Sequence, residues 1–407
     1  MNEMSDTTRQ FVRAHRTDDV RALMLAQKRW PEVDMRQACV QIAAWQRART
    51  KLPSWAAKDD IVFPEQLSME QCSSELTARY KAEVWARLSG GRSADVCDLT
   101  GGLGVDASML AQGCRRLTFV EHSEVLCDLA RWNLPRMGVG RLDVVCGEAE
   151  TVLPTLAQQD LIFLDPARRD SHGTRTVALA DCSPDLEQLF PLLLDRATWV
   201  MAKLSPMLDI SDTLRRLGHV AELHVVGVDG ECKEVLVVGS RTAATTPSMP
   251  VHCVNLLTGR SSRQTFVFTR EEEQQSVCGY ATAVGRYLYE PNASVLKAGA
   301  LRCVAERLQV QKLHPNSHLY TSDALVPDFP GRTFEVVGLS DLNKKHTAHL
   351  LSGIRQANLT VRNFPLSVAQ LRQRLKLSEG GSEYLFATTL ADEKHVLIRC
   401  WKMKNEQ

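Results

Sequence analysis

Short apolar runs alternate with amphipathic stretches through the middle of the chain, from Ser93 to Ser240. Such runs are typical of buried parallel strands, and the stretches between them have the apolar spacing of helices. The pattern predicts strands at 94–99, 116–121, 143–147, 160–165 and 197–204. It predicts helices at 105–113, 123–137, 150–157, 184–195 and 207–217. Five strand–helix units indicate an α/β domain built on a parallel sheet.

The last two strands of the segment 93–240 are connected differently from the others. Two further apolar runs, 219–228 and 232–238, are separated by only a few residues around Asp229-Gly230-Glu231. So short a link permits an antiparallel hairpin but no helical crossover. Five parallel units followed by a hairpin predict a Rossmann-like seven-stranded sheet whose last strand runs antiparallel to the others. A nicotinamide-binding domain would usually continue with another parallel unit.

The two flanks of this block have other patterns. Residues 1–92 have helical periodicity, which predicts an N-terminal helical domain with helices at 20–30, 35–49 and 70–88. After a linker-like stretch at 241–250, the pattern predicts a hairpin at 251–269 and a helix at 295–309. The predicted order after that is typical of a small ferredoxin-like α+β module: β (334–339), α (345–357), β (358–362), α (367–377), β (383–389), β (395–401).

Length and composition are those of a soluble globular protein with more than one core, since 44% of the 407 residues are hydrophobic and 24% are charged. No apolar run reaches about 18 residues, and the polar start of the chain holds no secretory signal, so neither a membrane span nor secretion is expected. The twelve cysteines include no Cys-x-x-Cys pair, which is typical of reduced cytoplasmic thiols. A cytoplasmic location and no metal site are therefore expected.

Charge is distributed unevenly, although the whole chain carries a net charge of only +1. Residues 1–95 carry a net charge of +2, residues 96–240 of −8 and residues 241–407 of +7. A basic C-terminal third could hold a polyanion while the acidic middle holds a small cofactor. The same excess is also expected of an ordinary solvated surface.

The run Asp98-Leu99-Thr100-Gly101-Gly102-Leu103-Gly104-Val105-Asp106 joins the first predicted strand to the first predicted helix of the sheet. A glycine-rich turn at this place lets the backbone approach a ligand closely and directs the helix N-terminus at it. The next three predicted strands end at further acidic residues: Glu121, Glu148 and Asp165. A line of acidic groups along the carboxyl edge of a parallel sheet is typical of a class I S-adenosylmethionine (SAM) methyltransferase.

Each part of SAM has a candidate partner here. Asp98 can bind the methionine ammonium, and Glu121 can accept both ribose hydroxyls. Glu148 and Ala149 can bind the adenine amino group and its neighbouring ring nitrogen. The predicted cofactor site consists of Asp98, Thr100, Gly101, Gly102, Gly104, Glu121, His122, Glu148, Ala149 and Asp165. The glycine turn alone also fits the looser dinucleotide fingerprint, so that only the joint pattern favours SAM over NAD.

The predicted catalytic residues are Asp165, Pro166 and Arg168, in the sequence Asp165-Pro166-Ala167-Arg168 after the fourth strand. Amino-group methyltransferases have an Asp/Asn-Pro-Pro-aromatic motif at this place. Its side-chain oxygen and a backbone carbonyl accept the two amino hydrogens and so orient the nitrogen lone pair toward the methyl group. Here the aromatic platform is missing. Arg168 could stack on a base or bind phosphate, as could Arg169 and Arg175, or it could form a salt bridge that fixes the loop.

The Asp-Pro-x-Arg form is also similar to that of enzymes that make C5-methylated uridine, which need a cysteine nucleophile. The expected position reads Lys203-Leu204-Ser205-Pro206 and holds no cysteine, and Cys182 is the one candidate near the cleft. Direct transfer to an amine is therefore favoured over covalent catalysis. Lys203 could face the cleft, but a lysine at a strand end is more often solvated.

These motifs together resemble a bacterial family of class I SAM-dependent methyltransferases with a C-terminal THUMP-like domain. Similarity to that family extends to Lys51-Leu52-Pro53-Ser54-Trp55, to the stretch 69–81, to Tyr289-Glu290-Pro291-Asn292 and to Leu296-Lys297-Ala298-Gly299. The resemblance implies a helical domain (1–92), a methyltransferase domain (93–240), a ferredoxin-like segment (251–333) and a THUMP-like domain (334–404). It also implies that the helix before the first strand covers the cofactor, with Thr77 and Lys81 near it.

THUMP domains bind RNA, so the resemblance implies an RNA substrate, either rRNA or tRNA. Asp98-x-Thr100-x-Gly102-Leu103-Gly104 is also similar to the first motif of rRNA enzymes that methylate guanine N2. We therefore expect transfer to an exocyclic amino group, with guanine N2 preferred over adenine N6. Two alternatives remain at this point: a methyltransferase for a protein or small molecule, and a non-catalytic protein that binds SAM or RNA.

Overall fold

The computed structural model describes residues 4–64, 66–168, 179–260 and 262–403. The chain divides into two units. The first consists of Met1–Ala221 and Leu236–Thr245, and the second of Glu222–Val235 and Thr246–Gln407. None of the helices in the described ranges has the length and apolar character needed to cross a membrane.

The first unit carries the helices of the N-terminal domain and those that flank the parallel strands. They are α1 (Asp6–Ala14), α2 (Val20–Leu25), α3 (Met35–Lys51), α4 (Pro53–Ala56), α5 (Gln66–Gln71), α6 (Glu75–Ser89), α7 (Val105–Leu110), α8 (Glu124–Arg136), α9 (Ala149–Val152), α10 (Leu186–Arg196) and α11 (Ile210–Leu217). Three short 3-10 turns accompany them at Gln27–Arg29, Leu153–Thr155 and Leu179–Asp181.

Polar caps decide where several of these helices begin. The Ser74 hydroxyl accepts the backbone N–H of Thr77 at 3.2 Å, so α6 begins at Glu75 and not at residue 70 as its periodicity predicts. Pro154 falls in a 3-10 turn directly after α9, and the predicted helix 150–157 is therefore reduced to four residues of α-helix.

The strands of the α/β region follow the predicted runs closely. They are β1 (Asp95–Asp98), β2 (Arg116–Glu121), β3 (Leu142–Cys146), β4 (Gln159–Leu164), β5 (Ala167–Arg168), β6 (Cys182–Ser183), β7 (Ala197–Leu204), β8 (Val220–Val228), β9 (Glu231–Gly239), β10 (Pro250–Leu256) and β11 (Arg263–Thr269). The main sheet has the order β11-β10-β8-β9-β7-β4-β1-β2-β3, while β5 and β6 form a separate two-stranded ladder. Strand β1 pairs in parallel with β2 and β4, and the pairs β2–β3 and β4–β7 are parallel as well.

The hairpin of β8 and β9 turns through Asp229 and Gly230, whose φ angles are 51° and 86°. Positive φ at both central residues is the requirement of a tight type I′ turn, which an Asp-Gly pair meets at low cost. The predicted hairpin 251–269 is present as β10 and β11. Because β10 also pairs in parallel with β8, the sheet continues beyond the seven predicted strands through β10 and β11.

The second unit carries a further sheet of seven strands. They are β12 (Tyr287–Pro291), β13 (Gln311–Lys312), β14 (Tyr320–Ser322), β15 (Gly331–Ser340), β16 (Asn358–Arg362), β17 (Glu383–Thr389) and β18 (His395–Lys402), in the order β13-β14-β12-β15-β18-β17-β16. Its helices are α12 (Arg270–Gln275), α13 (Ala293–Ala298), α14 (Arg302–Arg307), α15 (Lys344–Leu350) and α16 (Val368–Leu375). The β-α-β-α-β-β order predicted from Phe334 onward is present.

Two predicted helices of this unit are shorter than their periodicity indicates. The predicted helix 295–309 is divided into α13 and α14 because Gly299 ends α13 with a left-handed conformation (φ 81°). The predicted helix 345–357 ends at Leu350, before Gly353 (φ 79°).

Candidate active site

The loop after β1 lies directly on the aromatic ring of Phe119 in β2. A Cβ atom at Gly101 would lie 2.2 Å from the Cζ atom of Phe119, and Gly104, the N-cap of α7, has a φ angle of 86°. A side chain at Gly101 would therefore displace the loop from the sheet, and one at Gly104 would strain the backbone. The glycines keep the loop backbone flat against β2, as close binding of a ligand requires.

Asp98, the last residue of β1, is almost fully buried beneath this loop. Its Oδ1 atom accepts the backbone N–H of Thr100 at 3.1 Å. Burial raises the pKa of the Asp98 carboxyl well above its usual range, and the nearby charges of Asp106, Asp165 and Glu121 raise it further. A ligand that brings an ammonium group to this carboxylate would compensate for its burial.

Glu121 ends β2 with its carboxylate held by two backbone donors. Its Oε2 atom accepts the N–H of Gly102, and its Oε1 atom accepts the N–H of Ser123, both at 2.8 Å. The Nδ1 atom of His122 lies 3.1 Å from Oε1, and the ring of His122 is largely exposed. The side chain of Glu121 therefore links the end of β2 to the glycine loop and has one fixed orientation.

The end of β3 is tied to the end of β2 by a hydrogen bond from the backbone N–H of Gly147 to the carbonyl of Glu121, 3.0 Å long. Glu148 is the N-cap residue of α9, and its side chain is exposed and makes no capping hydrogen bond. Ala149 is buried. Glu148 is thus the most accessible of the predicted strand-end acids.

Asp165 follows β4 and is fixed through both its backbone and its side chain. Its backbone N–H donates to the Thr100 hydroxyl at 2.6 Å, and its Oδ2 atom forms an ion pair with the Nζ atom of Lys203. Burial raises the pKa of the Asp165 carboxyl above its ordinary value, while the Lys203 ammonium opposes the rise. Lys203 is only 15% exposed, so the expectation that a strand-end lysine is solvated is wrong here.

The remaining predicted residues of this loop are described in part. Pro166 is half-buried, and the backbone of Arg168 pairs with that of Cys182 between β5 and β6. The side chain of Arg168, and Arg169 and Arg175 entirely, lie outside the described residues. Cys182 is buried, as a small apolar residue would be.

A second lysine–aspartate pair at this edge was not assigned from the sequence as a pair. Lys81 of α6 is fully buried, and its Nζ atom lies 3.2 Å from Oδ1 of Asp106 in α7. The Ser73 hydroxyl donates to Oδ2 of Asp106 at 2.6 Å and lies 3.4 Å from the same Nζ atom. Thr77 is buried one turn before Lys81. The signal for this pair was present, since Asp106 ends the glycine-rich run and Lys81 was expected near the cofactor by resemblance.

These contacts bring Asp98, Asp106, Glu121 and Asp165 together with Lys81 and Lys203 at the carboxyl edge of the parallel strands. A flat glycine loop, a buried carboxylate with a raised pKa and a strand-end glutamate provide a cradle for a nucleoside that carries an amino-acid tail. The order β8-β9-β7-β4-β1-β2-β3 with this edge defines the class I SAM-dependent methyltransferases.

Comparisons with known proteins agree with this class. The C-terminal part matches two family descriptions, a ferredoxin-like domain over residues 287–330 and a THUMP domain-like region over residues 331–402. The chain is 37% identical to a protein of Porphyromonas gingivalis W83 whose name proposes a methyltransferase, and that crystal structure superposes with a TM-score of 0.87 over 99% of this chain and 100% of the other.

A curated relative is also similar, at 26% identity over 315 residues, which cover 76% of this chain and 80% of the relative. It is an uncharacterized S-adenosylmethionine-dependent methyltransferase of Mycobacterium tuberculosis (strain CDC 1551). The chain belongs to the bacterial family of class I SAM-dependent methyltransferases with a C-terminal THUMP-like domain. It is a SAM-dependent methyltransferase.

Proposed function

We propose that this methyltransferase modifies an exocyclic amino group of an RNA base, with guanine N2 preferred over adenine N6. The observation that carries the proposal is the fixed position of Asp165. Its backbone is held by Thr100, which belongs to the cofactor loop, and its carboxylate is held by Lys203. An acceptor tied to the cofactor loop is the arrangement that in-line transfer to an amine needs.

The cofactor roles follow the chemistry of each group. Asp98 binds the methionine ammonium, because its buried carboxylate gains most from a cation. Glu121 accepts the ribose hydroxyls beside His122, and Glu148 with Ala149 binds the adenine. The loop of Thr100, Gly101, Gly102 and Gly104 receives the methionyl and ribose parts, since its glycines hold the backbone flat against Phe119.

SAM supplies the methyl group when it is bound, and the chain's own residues position the acceptor. Asp165 accepts the amino hydrogens and turns the nitrogen lone pair toward the methyl group. Lys203 keeps Asp165 ionised and oriented, because its ammonium lowers the pKa that burial raises. Pro166 makes the loop rigid after Asp165, and Arg168 contacts the base or a phosphate.

Support for RNA comes from the C-terminal third. The THUMP domain-like match covers residues 331–402, and this part of the chain carries the basic excess. Exposed basic side chains lie on α15 and near α16, among them Lys344, Lys345 and Arg374. We assign the target to rRNA or tRNA, and the four domains to residues 1–92, 93–240, 251–333 and 334–404. All twelve cysteines are free thiols, which supports a cytoplasmic location.

The test is methyl transfer from methyl-tritiated SAM to total RNA of a strain that lacks the gene, with wild type beside Asp165→Ala. We expect label in RNA for wild type and a rate at least about 100-fold lower for Asp165→Ala, comparable to loss of one preorganised polar group. The affinity for SAM should change far less. Digestion of the labelled RNA to nucleosides then identifies the methylated atom.

A matched control is Asp143→Asn, an exposed carboxylate of β3 that pairs with Arg116. It should retain the wild-type rate. If the methyl-transfer rate of Asp165→Ala falls by less than tenfold, the proposed positioning role of Asp165 is wrong. If wild type binds SAM but leaves RNA unlabelled, the substrate is a protein or a small molecule, and RNA affinity should then show no steep dependence on salt.

A further inference from the structure

Three side chains of types that bind metal ions lie on β8 and β10, and none of them is a residue of the candidate active site. Glu222 and His224 stand two residues apart on β8, so both side chains point to the same face of the sheet. His252 of β10 is the direct register partner of His224 in the parallel pair β8–β10. The three side chains therefore share one face, and all belong to the second unit.

Donor atoms of these three residues lie within 4.8 Å of one another. The Oε2 atom of Glu222 is 3.2 Å from Nε2 of His252 and 3.5 Å from Nε2 of His224. Two ligand atoms that each lie about 2.0 to 2.1 Å from one tetrahedral ion are about 3.3 Å apart. The two separations between Glu222 and the histidines are close to this value.

The orientation of His252 supports the same conclusion. Its Nε2 atom is buried and, within the described part of the chain, makes no hydrogen bond, although Oε2 of Glu222 is only 3.2 Å away. The Nε2 atom of His252 is thus close to the Glu222 oxygen, but the angle between them is not that of a hydrogen bond. A buried ring nitrogen without a hydrogen-bond partner would be satisfied by a bound ion.

The two histidine rings lie in direct contact. The rings of His224 and His252 are stacked, with centroids 4.4 Å apart and planes 10° apart. Because the ring planes are nearly parallel, each ring would have to turn before both ring nitrogens faced one ion. The carboxylate of Glu222 supplies the negative charge that the ion needs.

An ion can reach this position from solvent. The side chain of His252 is 24% exposed, and its register partner on the neighbouring edge strand, Val267, is 41% exposed. Glu222 and His224 are buried behind it. We infer that Glu222, His224 and His252 form a binding site for one divalent transition-metal ion, of which zinc fits best. Two imidazoles and one carboxylate are a common zinc donor set that leaves a fourth coordination position open.

The site is tested with chelator-treated full-length protein and zinc alone, titrated against a chromophoric chelator. We expect one zinc per chain with a dissociation constant of about 1 μM or tighter. His252→Ala should bind zinc at least about 100-fold more weakly, since it removes one of three ligands. The matched control is His346→Ala, an exposed histidine of the same unit that pairs with Asp341, and its affinity should equal that of wild type.

Equal zinc affinity in wild type and His252→Ala, or no saturable binding at one equivalent, would overturn the inference. If His252→Ala does not fold, wild-type protein with labelled histidine rings decides the question. Zinc should then shift the ring nitrogen signals of two of the eleven histidines, and Glu222→Gln should abolish those shifts. Shifts at other histidines, or shifts that persist in Glu222→Gln, would contradict the site.

Discussion

The carboxyl edge of the parallel strands holds two lysine–aspartate pairs that differ in their access to solvent. Lys81 and Asp106 join α6 to α7 and are 0% and 9% exposed. Lys203 and Asp165 join the ends of β7 and β4 and are 15% and 31% exposed. Identical chemical groups thus differ in what they can contact: a substrate cannot reach the sealed pair, whereas it can reach the partly open pair.

The sharpest way to test this comparison is to remove the buried lysine. Lys81→Met leaves the carboxylate of Asp106 without its cation in a place that water does not reach, so we expect a loss of about 3 to 5 kcal/mol in the free energy of unfolding. Urea denaturation measures it. The double variant Lys81→Met/Asp106→Asn should recover part of this lost stability, because it has no uncompensated charge at position 106.

An exposed lysine serves as the reference for that measurement. Lys233→Met removes a surface pair with Glu231 and should change the free energy of unfolding by no more than about 1 kcal/mol. Similar losses in Lys81→Met and Lys233→Met would show that burial does not distinguish the two kinds of pair.

Substitution of Lys203 in the partly open pair should change activity more than stability. Lys203→Met should lower the methyl-transfer rate by about 10- to 100-fold, that is about 1.4 to 2.7 kcal/mol of barrier, because Asp165 loses its orientation. The free energy of unfolding should fall by less than it does in Lys81→Met, because Asp165 is partly accessible to water.

A pH profile separates this positioning role from general damage. Lys203 lowers the pKa of Asp165, so its removal should move the acidic limb of the rate profile to higher pH. A uniform loss of rate at all pH values would instead indicate a structural role.

A substitution of Asp98 should change the stability in a direction that follows from the raised pKa of its carboxyl. A carboxyl group whose pKa is raised by folding binds its proton more tightly in the folded state than in the unfolded chain. Its contribution to stability is complete below the unfolded pKa of about 3.9 and is lost as pH rises toward the folded value.

Asp98→Asn is neutral at every pH, so without SAM it should be more stable than wild type at pH 7. The difference should vanish near pH 3, as thermal unfolding at several pH values can show. SAM should bind this variant more weakly. If Asp98→Asn and wild type are equally stable at pH 7 and near pH 3, ionisation of Asp98 does not lower the stability of the folded protein.

Much of the fold could be predicted because the pattern of apolar runs is strong. Strands β2 and β7 have the predicted bounds, and the fold class and family are confirmed. The start of α6 was missed because a local cap at Ser74 overrides the periodicity. The pairing of β10 with β8 was missed because sheet register joins residues about 28 positions apart, which no local pattern encodes.

The residues of the candidate site show the same difference between local motifs and contacts of distant segments. Residues of short local motifs, such as Gly101, Gly104 and Asp165, could be selected from the sequence, and their roles stay predictions. Pairs between distant segments, such as Lys203 with Asp165, depend on which strand ends meet. The histidines on β8 and β10 gave no signal for the same reason, since only the register of the two strands makes them neighbours.

The Lys81–Asp106 contact has a consequence for how this molecule can be divided or recombined. A fragment that began at Ser93 would keep the whole glycine loop but leave Asp106 without Lys81 and Ser73. The helix that precedes the first strand is therefore an inseparable part of the cofactor domain. An exchange of catalytic domains between relatives would have to carry residues 73–81 along with the loop, and in evolution these two segments should change together.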